Sequence, residues 1–377
     1  MIVAGGTYRE RCVTPFADLL FGSGGRAALA LRNLERVRLH TFHPDPDDVA
    51  ANFGPDATVH SAPFEIAFDY LHPLGAPRIA PYPVVPLGSR QVEGDMAIRF
   101  GCLEGDFSVK AGAAVYDPQS GGAPRPFAEN GSRADRLAVV LNAAEARRLS
   151  GHVDLDRAGR HLLESERAEV IVVKRGADGA TVFDRSASPT TVPAYRTRAI
   201  FKIGSGDVFT AAFAHYWMSR GLSSVESADL ASKQVAAYVA TRTLPCAALP
   251  PELEPVEGGL EGLVVGLAFD DRQTRTRWLV HEVRAALRML GARDVVTARD
   301  GTAHDILFAM PAAAEGVAME ALGDAVARRR PVVVFADDGE VAAAARARGA
   351  DPISDFAASL YAVAWTSDEG ASLLRRR

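Results

Sequence analysis

Short, almost wholly apolar runs of strand length recur along this chain, and each stops at a glycine or a polar residue. Residues 1–4 (MIVA) halt at Gly5 and Gly6, 113–116 (AAVY) at Asp117, 137–141 (LAVVL) at Asn142, and 170–173 (VIVV) at Lys174. A run that does not alternate hydrophobic with polar has both faces buried, the mark of a strand inside a parallel sheet covered by helices. Stretches of helical spacing at 143–149 and 208–216 lie between or after these runs, so strand and helix alternate and a largely parallel sheet is expected. The same alternation returns further on, with strands at 263–266, 305–310 and 331–335 and helices at 277–290, 319–328 and 341–348. Prolines 245, 250, 251 and 255 with glycines 258 and 259 separate the two parts. The expected architecture is α/β throughout: a three-layer α/β/α domain over 1–250, a linker at 251–261, and a smaller doubly wound, flavodoxin- or Rossmann-like domain over 262–377. The proline-rich stretch 43–87 reads as strands and loops.

Composition narrows the function. With 48% hydrophobic and 24% charged residues the chain has enough apolar surface to offset the entropy of ordering, which excludes disorder. No window near 20 residues is free of charge, so no membrane partner is expected. A formal net charge of −5 argues against a dedicated nucleic-acid binder. The three cysteines, Cys12, Cys102 and Cys246, are far apart and lack metal or disulfide spacing, and the N-terminus lacks a signal-peptide pattern. A cytoplasmic protein acting on small molecules is expected, with a homodimer left open. The nine histidines are scattered, with no pair at i, i+4 ligand spacing.

Candidate chemistry concentrates at Gly204, Ser205, Gly206 and Asp207, which lead into an apolar helix. A Gly-Ser-Gly turn at a helix start offers unpaired N–H groups and the positive end of the helix dipole to an anion. A carboxylate beside it is placed to take a proton from a hydroxyl while the amides stabilise a transferring phosphoryl group. The same string also suits a plain glycine turn whose aspartate caps the helix.

The order of motifs resembles the ribokinase-like (PfkB) carbohydrate and nucleoside kinase family. Gly24-Gly25 matches its early di-glycine substrate motif, Asn142-Ala143-Ala144-Glu145 its Asn-x-x-Glu motif, and residues 204–207 its G-A-G-D signature. The resemblance covers about 1–250 and implies a ribokinase-like domain that uses ATP and Mg²⁺ to phosphorylate a sugar, nucleoside or ribosyl-type hydroxyl. Asp207 would be the base, and Gly204, Ser205 and Gly206 the anion hole. Asn142 and Glu145 would hold Mg²⁺ through water, although a helix cap explains the same residues. Lys174, Gly176 and Gly179 fall on the nucleotide side, and Glu10, Gly24, Gly25 and Arg26 on the substrate side. Phe201-Lys202 departs from the family's Asp-Thr, and Lys202 is a candidate phosphate contact. Arg9, Arg11 and Arg26 would suit an anionic acceptor, or lie on a solvated edge.

Residues 262–377 resemble the nucleoside 2-deoxyribosyltransferase family through 305–309 (DILFA), 316–320 (GVAME) and 331–334 (PVVV). There Glu320 would be the nucleophile at the sugar carbon, where an oxocarbenium-like transition state favours a carboxylate. Val317 replaces the motif's threonine, and only Asp300 offers a second acid in the short loop 297–304. A surface Glu320 in a non-catalytic domain is the other reading. Two alternatives to a kinase follow: an N-glycosidase or deoxyribosyltransferase using Glu320, and a non-catalytic nucleotide or sugar binder.

Overall fold

A computed structural model describes residues 1–119, 123–246, 249, 252–256, 259–271, 274–298 and 302–375, with side chains as far as 366. The chain forms two compact units. The first comprises Met1–Arg175, Gly179–Tyr195 and Phe201–Leu253; the second takes Gly176–Asp178, Arg196–Ile200 and Glu254–Arg377. Of the proposed linker, residues 251, 257 and 258 lie outside the described residues.

The first unit opens with β1 (Ile2–Ala4), the hairpin β2 (Arg9–Cys12) and β3 (Ala17–Leu20), then α1 (Gly22–Leu31) and β4 (Arg38–His43). α2 (Pro46–Phe53) leads to β5 (Thr58–Ser61), β6 (Ala67–Tyr70) and β7 (Arg78–Ala80). Two long strands, β8 (Ser89–Phe100) and β9 (Asp106–Asp117), precede β10 (Arg133–Asn142), α3 (Ala143–Ser150), α4 (Leu155–Ser165), β11 (Val170–Lys174), β12 (Ala180–Asp184), β13 (Thr190–Val192) and the short β14 (Ala194–Tyr195). α5 (Ser205–Ala214), a π turn at His215–Ser219 and α6 (Ser224–Thr241) close the unit.

The main sheet has nine strands in the order β13-β12-β11-β10-β9-β8-β1-β4-β5. It is parallel except for β12 and β13, which return antiparallel at one edge. Successive residues of a strand face opposite layers. Val3, Ile98, Val115, Val140 and Val172 pack under α1, α5 and α6, with Leu31, Phe209, Phe213 and Ala231. Their neighbours Ala4, Ala97, Ala114, Val139 and Ile171 pack against α3 and α4, with Ala146, Ala158 and Leu162. This is the three-layer α/β/α architecture expected from the sequence. A four-stranded sheet, β3-β2-β6-β7, stands apart from the main one within this unit.

The helix α2 departs from the strand-and-loop expectation for 43–87. Asp45 caps it by accepting from the Asp47 and Asp48 amides, and Pro46 stands at the first helical position, where its missing N–H costs nothing.

Strand β15 (Pro255–Val256) belongs to the second unit, whose main elements are β16 (Val264–Phe269), α7 (Thr274–Met289), β17 (Asp294–Thr297), β18 (Ile306–Met310), α8 (Val317–Ala327), β19 (Val332–Phe335), α9 (Gly339–Ala347), β20 (Pro352–Ile353) and α10 (Phe356–Arg375). Its five strands run parallel in the order β17-β16-β18-β19-β20, the smaller doubly wound sheet expected. Leu307, Met319, Leu322, Val334 and Ala345 form its own apolar core. Among the described residues no helix is long and apolar enough to cross a membrane.

Candidate functional site

In an open parallel sheet the place for chemistry is beyond the carboxyl ends of the strands, near the point where strand order reverses. In the first unit that reversal lies between β1 and β8, since β4 and β5 extend one side and β9, β10 and β11 the other. Asp117, Asn142 and Lys174 are the last residues of three adjacent strands and so line one edge of the sheet.

α5 begins at Ser205, and Gly204 caps it in the left-handed region at φ 76°, a conformation that favours glycine. A Cβ at Gly204 would also overlap the guanidinium of Arg26. The Ser205 amide donates to the Lys202 carbonyl at 3.0 Å, so it is spent within the turn rather than open to an anion as expected. The first-turn amides of Gly206 and Asp207 have no intrahelical acceptor. A Cβ at Gly206 would come within 3.4 Å of Lys174 Nζ, so the ammonium stands over the start of the helix. Lys174 donates to Asp117 Oδ2 at 2.6 Å, and Thr210 Oγ1 donates to the same oxygen at 2.7 Å. Burial opposes the ammonium, but Asp117, Glu145 and Asp207 hold the Lys174 pKa above the ordinary lysine value.

Asp207 does not project into open space as the mechanism read from sequence requires. Its side chain is only 10% exposed, and Oδ2 accepts from Arg26 Nη1 at 2.8 Å. Oδ1 accepts from Gln119 Nε2. Arg26 is engaged in the same way. Its side chain is 1% exposed and donates from Nη1 and Nη2 to Glu10 and from Nε to Tyr238 Oη at 3.2 Å. Such a guanidinium is committed to internal carboxylates and is not free to greet an anionic acceptor. Arg9 and Arg11 are likewise paired, Arg9 with Asp48 at 3.0 Å and Glu65 at 2.9 Å, Arg11 with Asp69 at 3.3 Å.

Glu10 also accepts from the Gly22 amide at 3.1 Å, so it caps α1 while neutralising Arg26. Gly24 and Gly25 have packing reasons of their own. A Cβ at Gly24 would meet the Gly5 carbonyl at 2.6 Å, and one at Gly25 the ring of Phe53 at 2.5 Å. Phe201, at the position of the family's aspartate, is buried with Cys12 and Ile203. Gly179 adopts φ 74° in the turn into β12, and Gly176 belongs to the second unit.

Asn142 and Glu145 form a reciprocal capping box at the start of α3. Asn142 Oδ1 accepts from the Glu145 amide and Glu145 Oε2 from the Asn142 amide, both at 2.9 Å. Each of those two oxygens accepts one hydrogen bond within the cap, which is the helix-cap role that the sequence also allowed. The neighbouring Asp117 Oδ1 is buried with no hydrogen-bond partner among the described residues, and Mg²⁺ favours oxygen donors reached through retained waters.

Sequence reasoning missed Asp117, Gln119, Thr210 and Tyr238. Asp117 had a signal, since it ends an apolar run just as Asn142 and Lys174 do. The others come from places in the chain that only the fold brings together.

In the second unit Glu320 is exposed in the first turn of α8, where the helix dipole favours an acid without any further role. It is not enclosed as a nucleophile at a glycosidic carbon would be. The carboxylate at the strand end is instead Asp270, which accepts from the Ala312 amide at 3.1 Å. Asp300 lies outside the described residues.

Among solved structures the chain is similar to a ribokinase from Thermotoga maritima, at 16% identity and a TM-score of 0.48 over 65% of this chain and 95% of that one. It is also similar to a fructokinase from Vibrio cholerae O395 bound to fructose, ADP and potassium, at 15% identity and a TM-score of 0.47 over 64% and 93% of the two chains. A third is a pyrophosphate-dependent kinase in the ribokinase family bound to a pyrophosphate analog and myo-inositol, at 17% identity and a TM-score of 0.44 over 66% and 97%. No curated protein matches the chain. Residues 135–251, which carry Asn142, Lys174 and the turn from Gly204 to Asp207, match the pfkB family carbohydrate kinase model.

Proposed function

We propose that the first unit transfers a phosphoryl group, with ATP as donor, to a hydroxyl of a sugar, nucleoside or related small molecule. The observation that carries this reading is Lys174 Nζ standing over Gly206 at the start of α5, so that a cation and unpaired helix amides face one volume. A phosphate seated there would have Asp207 beside it as the acceptor of the hydroxyl proton. Each Asp207 oxygen accepts one hydrogen bond and can accept a second, as Asp117 Oδ2 does, so a substrate hydroxyl can join Arg26 on one oxygen or take the place of Gln119 on the other. Gln119 is the partner whose loss leaves no unpaired charge, because Arg26 stays on Asp207 and Glu10. Magnesium, held through water by Asp117 and Glu145, would neutralise phosphate charge.

The test is ADP formation with Mg²⁺ and a panel of sugars and nucleosides, with the product mass confirming phosphorylation. Asp207→Asn is expected to lower turnover by about 10²–10⁴-fold, the usual worth of a positioned base. Lys174→Met is expected to weaken ATP binding.

A second reading is favoured by the engagement of both Asp207 oxygens: a binding protein that holds a nucleotide or sugar phosphate without transfer. Calorimetric binding of ATP with no product across the panel would select it over the kinase.

A further inference from the structure

Away from the α5 turn, His43 at the end of β4, Asp48 on α2 and Glu65 just before β6 bring one ligand atom each to within 4.8 Å of one another. His43 is 2% exposed, and its Nε2 has no hydrogen-bond partner among the described residues. The other ring nitrogen, Nδ1, lies 2.8 Å from the Asp45 carbonyl oxygen. The Asp45 amide lies 3.1 Å from the same nitrogen, so Nδ1 faces both an acceptor and a donor; in the tautomer that gives its proton to the carbonyl, Nε2 presents a lone pair. Facing it, 3.7 Å away and beyond hydrogen-bond reach, is Glu65 Oε1, another acceptor. Arg9 already serves Glu65 Oε1, whereas His43 Nε2 is served by nothing among the described residues, and a cation between the two would answer both. A backbone carbonyl on the far nitrogen is also the arrangement that orients an imidazole as a metal ligand.

We infer that His43 Nε2, Asp48 and Glu65 form a binding site for a first-row divalent cation such as Zn²⁺. One imidazole and two carboxylates are a donor set that suits such ions and leaves a coordination position for water. Arg9 occupies the site in this structure, donating to Glu65 and Asp48. It can leave, because its Nε is also 3.9 Å from Asp18, whose half-exposed carboxylate can keep the guanidinium when the metal takes the other two. The ion would tie β4 and α2 to the segment leading into β6, and so fix the four-stranded sheet against the main one.

The full chain, stripped with a chelator and dialysed, is titrated with Zn²⁺ alone by calorimetry. Binding of a single ion per chain is expected. Glu65→Gln, Asp48→Asn and His43→Ala should each weaken it by about 100-fold or more, since even outer partners of metal ligands are worth about 10–100-fold. Arg9→Ala keeps all three donors and removes the competing cation, so it should tighten binding. Absence of binding in the unaltered protein, or binding that Glu65→Gln and Asp48→Asn leave unchanged, overturns the site. Because those two side chains are about a third exposed, their loss leaves the core intact if His43→Ala proves unstable.

Discussion

Arg26 shows what a single buried charge must have around it. With its side chain 1% exposed, it is balanced by Glu10 and Asp207, bonded by Tyr238 and laid over the ring of Phe21. Replacing it with Met strands two nearly buried carboxylates, which costs about 3–5 kcal/mol and should appear as a lowered urea midpoint. Glu104 makes a different point. It is buried against Tyr8, whose hydroxyl donates to it at 2.7 Å, and burial pushes its pKa up from 4.5 to about 6. The folded state then holds that proton more tightly than the unfolded one. Its contribution is therefore most favourable below pH 4.5 and declines as pH rises through about 6. Compared with Glu104→Gln, the unaltered protein should lose about 2 kcal/mol of stability between pH 4 and pH 7.5, and parallel urea curves for the two proteins would refute this. The sequence exposes residue types but not these pairings. Arg26 beside a glycine pair reads as an anion ligand because its partners Glu10 and Asp207 stand 16 and 181 positions away.

At the scale of elements, the strands were legible because burial on both faces leaves unbroken apolar runs, and 137–141 and 170–173 fall inside β10 and β11. The capping box at Asn142 and Glu145 was legible for the same local reason, as were α7, α8 and α9. α2 was not, because a helix with one buried residue, Val49, has almost no apolar stripe to read; only Asp45-Pro46 announced it. The start of α5 was legible as a glycine turn, but not the guanidinium lying against it. That contact makes Gly204 the most demanding position of the element. Gly204→Ala places a methyl group in the left-handed region and into Arg26, so a loss of about 3 kcal/mol or more is expected in equilibrium unfolding. Gly339→Ala, in the first turn of α9 with open space around its Cβ, is the matched control and should cost little.

Among the described residues, apolar clusters pack on both faces of the nine-stranded sheet of the first unit, and another packs around the five-stranded sheet of the second. Lys174, Gly206, Asp207, Asp117, Glu145, Glu10 and Arg26 all belong to the first unit, which gives the proposed phosphate site one address. A chain with two cores need not melt in one step. Its calorimetric endotherm is expected to be broader than a two-state transition, with calorimetric and van't Hoff enthalpies unequal. ATP with Mg²⁺ at about 100 times its Kd adds about 2.7 kcal/mol to whatever binds it. That should move the first unit's component upward by about 5–10 °C while the other keeps its place. Lys174→Met should abolish the displacement without merging the components. A single two-state transition, shifted as a whole by the nucleotide, would mean that the two cores unfold as one, and that binding in the first unit is felt throughout the chain.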